Sequence, residues 1–159
     1  MNELELEYEQ SHELDPDTHP FELHPQLAAD TVKLGEFPLS DLLLMNDANY
    51  PWFILVPRRV SVTEIFHLSA EDQGQLLKES SYLAENLRDA FNALKMNIAA
   101  LGNVVPQLHL HHVVRYSDDP TWPAPVWGAV TPQPYTDVEI ETIRQRIELL
   151  QQGELYRPC

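Results

Sequence analysis

The stretch that most restricts the fold lies in the middle of the chain. Leu76, Leu83, Leu87, Phe91 and Leu94 recur at helical spacing behind a Ser69–Asp72 cap, so the pattern predicts one long helix over 70–94 with a single apolar stripe. Such a helix needs an apolar surface to lie on. Short β-type runs on either side supply it: "LLLM" (42–45) and "WFILVP" (52–57), separated by the turn-forming "NDANYP", then "NIAALGN" and "LHLHHVVRY" joined across 102–106. "VSVTEIF" (60–66) reads as a further extended piece. The expected fold class is therefore α+β: an antiparallel sheet of about five strands, the long helix packed on it, and a C-terminal helix.

That last helix is expected to start at Thr136, where Glu139 completes a capping box, with Ile140, Ile143, Ile147 and Leu150 on one side. Its stripe faces either its own core or a second subunit. Between the strands and this helix, residues 116–135 hold five of the 13 prolines and two of the three tryptophans, which forbids a regular central strand and calls for packing against something. A helical turn is expected near 25–30. The expected organisation is an acidic tail over 1–20, a core over 21–115, and an arm with a final helix over 116–159 that completes the same domain. Within 1–20, Leu4, Leu6 and Tyr8 alternate with glutamates, which suits an edge strand or, more simply, a mobile acidic tail.

Charge and cysteine content narrow the function. A formal charge of −15 argues against nucleic acid as a partner. Nine of the 25 acidic residues fall within 1–30, and no Lys or Arg precedes Lys33, so the rest of the chain carries about −6. A small phosphorylated ligand is compatible with that balance if its pocket supplies local donors. No apolar run of about 18 residues is present and the N-terminus is acidic, so neither a membrane span nor a secretory signal is expected. The lone Cys159 cannot form an internal disulfide, which fits a reducing, cytoplasmic location.

The chemistry concentrates in "QLHLHHVVR" (107–115). Period-two alternation along a strand places Gln107, His109, His111 and Val113 on one face and Leu108, Leu110, His112 and Val114 on the other. His112 then reads as a packed core or interface imidazole. For His109 and His111 three readings stand. As metal ligands at i and i+2 they need a third ligand, and no Asp or Glu follows before Asp118 and Asp119. As a solvated face they do no chemistry. As nucleophilic catalysts, one neutral ring attacks phosphorus while its neighbours stabilise the developing oxyanion.

The same nine residues resemble the histidine triad (HIT) motif, His-φ-His-φ-His-φ-φ with φ apolar, with Gln107 in place of the first histidine. A preceding "GNVVP" turn, the "NIAALG" strand, the long helix and "MNDANYPWFILVP" extend the likeness over 42–115, and "WPAPVWG" (122–128) is similar to a stretch found in a bacterial branch that reads Gln-x-His-x-His. The resemblance implies a homodimeric nucleotide hydrolase or nucleotidyl transferase acting on an α-phosphate through a covalent nucleotidyl-histidine. It implies His109 as nucleophile, His111 and Gln107 as phosphate-binding groups, and Asn46, Asn97 and Asn103 as nucleotide contacts. Turn chemistry is the plain alternative for the asparagines. No cofactor is obligatory on this likeness, and a divalent cation enters only as companion to the nucleotide's phosphates. Two departures stand out: Gln107 cannot shuttle a proton as histidine does, and Val104 occupies a place where many relatives carry a hydroxyl. They leave open a catalytically weak nucleotide-binding module and, further off, a metal-binding His-x-His protein.

Overall fold

The computed structural model describes residues 20–159, so the edge strand or acidic tail expected over 1–20 lies outside the described residues apart from Pro20. The chain runs α1 (Pro25–Asp30), β1 (Thr31–Glu36), β2 (Ser40–Met45), β3 (Trp52–Pro57), a 3-10 turn (Ile65–His67), α2 (Ala70–Phe91), β4 (Lys95–Ala99), β5 (Leu110–Arg115), α3 (Asp137–Arg146), a second 3-10 turn (Glu148–Gln152) and β6 (Arg157–Pro158). The six strands form one sheet in the order β4-β5-β3-β2-β1-β6, with every neighbouring pair antiparallel. This is the α+β architecture expected, with one more strand than the sequence pattern suggested.

The sheet is covered on both faces. Every residue of β3 and β5 is buried, as strands must be when both pleat surfaces meet packed side chains. On one face Leu42, Leu44, Phe53, Leu55, Leu110 and Val114 meet Leu76, Leu83, Leu87 and Phe91 of α2. On the other, Leu43, Ile54, Val56 and Val113 meet Leu27 of α1, Val105 and Val126. The second face carries the functional side chains.

α2 begins where expected: the Ser69 hydroxyl accepts from the Asp72 amide, and Glu71 and Asp72 complement the helix dipole. It ends at Phe91 rather than at Leu94, because Asn92 takes the left-handed conformation at φ 49° and closes the helix on the Arg88 carbonyl. Leu94 then donates its N–H to the Arg115 carbonyl and the chain enters β4. α3 starts at the expected Thr136–Glu139 capping box. Ile143, Ile147 and Leu150 enter the same core as α2, so the stripe of this helix faces its own sheet.

Two expectations are corrected. Residues 60–66 form no strand: Ser61 sits at φ 60°, and Glu64 and His67 cap each other around the 3-10 turn, which bends the segment away from the sheet. β1 was not foreseen, because "TVKLGE" lacks a clean alternation and carries a bulge between Lys33 and Gly35. Gly35 is required there, since a Cβ would lie on the Arg157 carbonyl and the Tyr156 hydroxyl and prevent β6 from docking.

Candidate active site

β5 and the extended residues just before it supply the site, and the alternation separates the histidines as predicted. His112 points to the α2 face, fully buried. Its Nδ1–H donates to the Leu110 carbonyl at 3.0 Å, which leaves Nε2 to accept from the Ser80 hydroxyl at 2.7 Å. Burial lowers its pKa to about 4, so this ring is a neutral core hydrogen-bonding group.

His109 and His111 lie on the opposite face with ring centroids 4.8 Å apart. Their partners fix their tautomers. The Gln107 main-chain carbonyl can only accept, and it stands 2.7 Å from His109 Nδ1; the proton of a neutral His109 therefore sits on Nδ1 and the Nε2 lone pair is left for chemistry. The Trp52 indole can only donate, and its Nε1–H reaches His111 Nδ1 at 3.0 Å. A neutral His111 must then carry its proton on Nε2, as a hydrogen-bond donor. Two adjacent imidazoles are thus held in opposite forms, one a base and one a donor.

Electrostatics keep both rings neutral. Burial pushes the His109 pKa below the ordinary imidazole value, the Gln107 carbonyl opposes that shift, and the nearby His24 reinforces it. His111 is lowered further, to about 3, by burial first and then by His109 and His112. The rings are 6% and 4% exposed, so solvent screens them little.

Aromatic rings frame the pair. Trp52 and Trp127 pack against His111 at 5.6 and 5.3 Å and meet each other edge to face at 5.9 Å. Trp127 belongs to the proline-rich arm, which folds back over this face without regular helix or strand. Arg115 holds it there. Its buried guanidinium donates to both Asp119 carboxylate oxygens at 2.7 and 3.1 Å, to the Ala124 carbonyl at 2.8 Å and to Asn97 Oδ1 at 2.8 Å, and lies over the rings of Tyr50 and Trp122. The peptide between Trp122 and Pro123 is cis.

Other residues singled out from the sequence take other places. Both ends of the Gln107 amide are engaged by the segment before α1: Oε1 accepts from the His24 N–H and Nε2 donates to the Glu22 carbonyl, each at 2.8 Å. Asn46 Oδ1 accepts from the Tyr135 amide at 2.8 Å, and Asn97 Oδ1 serves Arg115, so both carbonyl oxygens hold the arm. Asn103 is exposed in the loop between β4 and β5, beside Val104, which is 86% exposed. Among the described residues no group of three or more His, Cys, Asp or Glu side chains is placed to hold a metal ion, and no helix is long and apolar enough to cross a membrane.

Two participants, Trp52 and His24, were not assigned to the site from sequence, and a third, Trp127, was expected to pack. Trp52 reads from sequence as core, and only the β3–β5 register, with Ile54 opposite His111 and Trp52 opposite Val113, reveals that its indole meets His111. Trp127 lies in the "WPAPVWG" stretch, whose packing partner the sequence does not name, and His24 lies in the short segment before α1, which carries no local signal.

A His-x-His pair on one face of a six-stranded antiparallel sheet is the arrangement that the resemblance to histidine triad proteins implies, and residues 26–118 match the family model described as the HIT domain. The chain belongs to the HIT family, a class of nucleotide hydrolases and transferases. Solved structures agree. A histidine triad protein from Marinobacter aquaeolei VT8 is 53% identical with a TM-score of 0.82, covering 84% of this chain and 98% of its own. One from Bradyrhizobium japonicum is 41% identical with a TM-score of 0.81, covering 82% and 98%. A HIT protein from Sinorhizobium meliloti 1021 is 42% identical with a TM-score of 0.79, covering 80% and 94%. Among curated protein sequences none matches.

Proposed function

We propose that this chain hydrolyses a nucleotidyl substrate, such as a dinucleoside polyphosphate or a nucleoside phosphoramidate, through a covalent nucleotidyl-histidine. The observation that carries the reading is the tautomer pair: a free Nε2 lone pair on His109 beside an Nε2–H on His111. His109 Nε2 attacks the α-phosphorus, an N–P bond forms, and the bond to the leaving group breaks with its electron pair going outward. Water then attacks the same phosphorus, its proton passes through solvent to the departed leaving group, and the N–P electrons return to His109. His111 donates to a non-bridging oxygen as charge builds there, a contribution worth about 10²–10³ in rate for one well-placed donor. Because burial holds His109 neutral, no proton has to leave it before attack at pH 7.

Gln107 contributes through its main chain, whose carbonyl orients His109, while its side chain secures residues 22–24. No obligatory metal is required by this scheme; a divalent cation would travel with the substrate's phosphates. The same reading makes the protein a cytoplasmic homodimer. The edge of β4, unpaired among the described residues and with Ile98 and the flanking Leu94 and Leu101 exposed, is the surface suited to a second copy. On this reading residues 116–135 close over the histidine face, and 136–159 complete the same domain on the α2 side.

Incubation with labelled adenylated substrates should give turnover and an acid-labile protein adduct, both lost in His109→Ala. Full turnover by His109→Ala would end this mechanism. A second reading, a nucleotide-binding module with little catalysis, draws on the engaged Gln107 amide; tight nucleotide binding with turnover no faster than that of His109→Ala would favour it.

A further inference from the structure

The proline-rich arm is pinned on both sides of Trp127 and loose beside it. Before Trp127, the Ala124 carbonyl accepts from Arg115 at 2.8 Å, and Val126 is buried in the apolar cluster of the histidine face. After it, the Thr131 carbonyl accepts from the Asn49 side chain at 3.0 Å, and the Gln133 main chain bonds to Ala48 and Asp47. Between Val126 and Thr131 the only hydrogen bond among the described residues runs from the Ala129 N–H to the Val126 carbonyl, at 3.3 Å. Gly128, Ala129 and Val130 are exposed. Gly128 takes φ 71°, and a Cβ there would meet nothing within 4 Å, so the residue next to Trp127 has both conformational freedom and open space.

Ring contact alone holds the Trp127 side chain down. Its indole lies against His111 and Trp52, while its N–H is buried without an acceptor, so the one group able to secure it by a directed bond does not. Access is the consequence. A phosphate has to meet both Nε2 atoms, and attack needs the reacting atoms within about 3–3.5 Å, yet both rings are buried. Of the two indoles on His111, Trp52 belongs to β3, which is paired on both sides and cannot leave without breaking the sheet. Trp127 can.

We propose that Trp127 is the gate of this site: its indole swings off His111 about Gly128 to admit a phosphate-bearing ligand, while Val126 and Thr131 stay in place, and returns once the ligand is seated. The identity of the ligand rests on the nucleotidyl reading above; the motion does not. Return of the indole excludes water from the reacting groups, and its opening sets the rate at which ligands enter and leave.

Fluorine NMR of the full chain labelled with fluorotryptophan reports its three indoles separately, with Trp127→Phe assigning the signal of interest. In the free protein the Trp127 signal should show exchange on the microsecond-to-millisecond scale and the Trp52 signal none, and AMP or GMP should suppress that exchange. A Trp127 signal as static as that of Trp52 overturns the proposal. Reactivity supplies the second measurement. Diethyl pyrocarbonate acylates a free imidazole nitrogen, so peptide mass spectrometry reads access to His109, with His112, buried on the opposite face, as the control. For an open state populated at about 0.1–10%, Trp127→Ala should speed modification of His109 about tenfold or more and leave His112 unreactive. Equal rates at His109 in the two proteins overturn the proposal, and so does a parallel gain at His112, which marks a loosened fold. If AMP and GMP perturb none of the three signals, the nucleotidyl reading fails, while the exchange in the free protein and the reactivity of His109 still decide the gate.

Discussion

Replacing Trp52 by Phe probes the logic of the site at one atom. The substitution keeps an aromatic ring in a 7% exposed position but removes the Nε1–H that donates to His111 Nδ1. Leaving a buried ring nitrogen without its donor costs about 1–3 kcal/mol, and the smaller ring adds about 1 kcal/mol of lost packing against Tyr50 and Trp127. The sum is about 3 kcal/mol, which for a chain of this size lowers Tm by roughly 10 °C. The kinetic consequence is separate. Without the indole, nothing forces the His111 proton onto Nε2, and every molecule with the proton on Nδ1 presents a lone pair to the phosphate where a donor is needed. Loss of such an orienting partner costs about 10–100-fold in activity, and because the donor acts on developing charge the loss should fall on kcat more than on KM. Turnover measured well below the variant's Tm, together with a long-range nitrogen–proton NMR correlation of its histidines, tests both parts. If kcat stays within about threefold of wild type while His111 changes tautomer, the assigned role of Nε2–H is wrong; if the tautomer persists without Trp52, the argument for how it is fixed is wrong.

Acid should destabilise the protein through its buried imidazoles. His112 has a pKa of about 4 in the folded protein against about 6.5 unfolded. The unfolded chain therefore takes up a proton first as pH falls, and the stability present above pH 6.5 drains away between about 6.5 and 4, amounting to about 3 kcal/mol for this one group. His111 acts in the same direction. Chemical denaturation across that window should show a shallower pH dependence in His112→Gln than in wild type, and an unchanged slope would count against burial of a neutral ring. Arg115→Ala strips the partner from a carboxylate whose side chain is only 3% exposed and should destabilise by about 3–5 kcal/mol. Because the arm carries Trp127, its intrinsic fluorescence should change as well, and a variant with native stability and emission would refute the anchoring role.

What the sequence revealed follows its periodicities, and what it hid depends on contacts between distant segments. A two-residue period sorted His109 and His111 from His112 without any knowledge of neighbours, and the sheet bears this out through separate sets of contacts on its two faces. The long helix was equally plain, with an overshoot of three residues, although Asn92 is of the type that tolerates the left-handed cap conformation. Side-chain partners were a different matter. An amide at 107 suggests a phosphate donor, yet its two hydrogen bonds run to main-chain atoms more than 80 residues away. Asn46 and Asn97 suggest ligand contacts, but their oxygens serve Tyr135 and Arg115 across the proline-rich arm. Each is a hydrogen-bonding residue correctly marked as important and attached to a partner no local pattern can name. Trp52 is the converse: one apolar residue among six in β3, distinguished by a single N–H whose target only strand register reveals.

The arm shows how an irregular segment can be made part of a precise site. Residues 116–135 lack the ladder of main-chain bonds that orders a strand, and their prolines remove donors that could form one. Order comes instead from one buried cation. The Arg115 guanidinium is planar and multidentate, so it can gather the Asp119 carboxylate, the Ala124 carbonyl and Asn97 in fixed directions where a lysine could not. Desolvating that charge costs several kcal/mol, which satisfied hydrogen bonds and the rings of Tyr50 and Trp122 offset. Arg115 lies in β5, on the same face and the same rigid strand as His111, so the segment it organises is referenced directly to the reacting groups. Trp127 can therefore meet His111 at a defined distance, and the water exclusion that keeps both imidazoles neutral depends on an ion pair that never touches them.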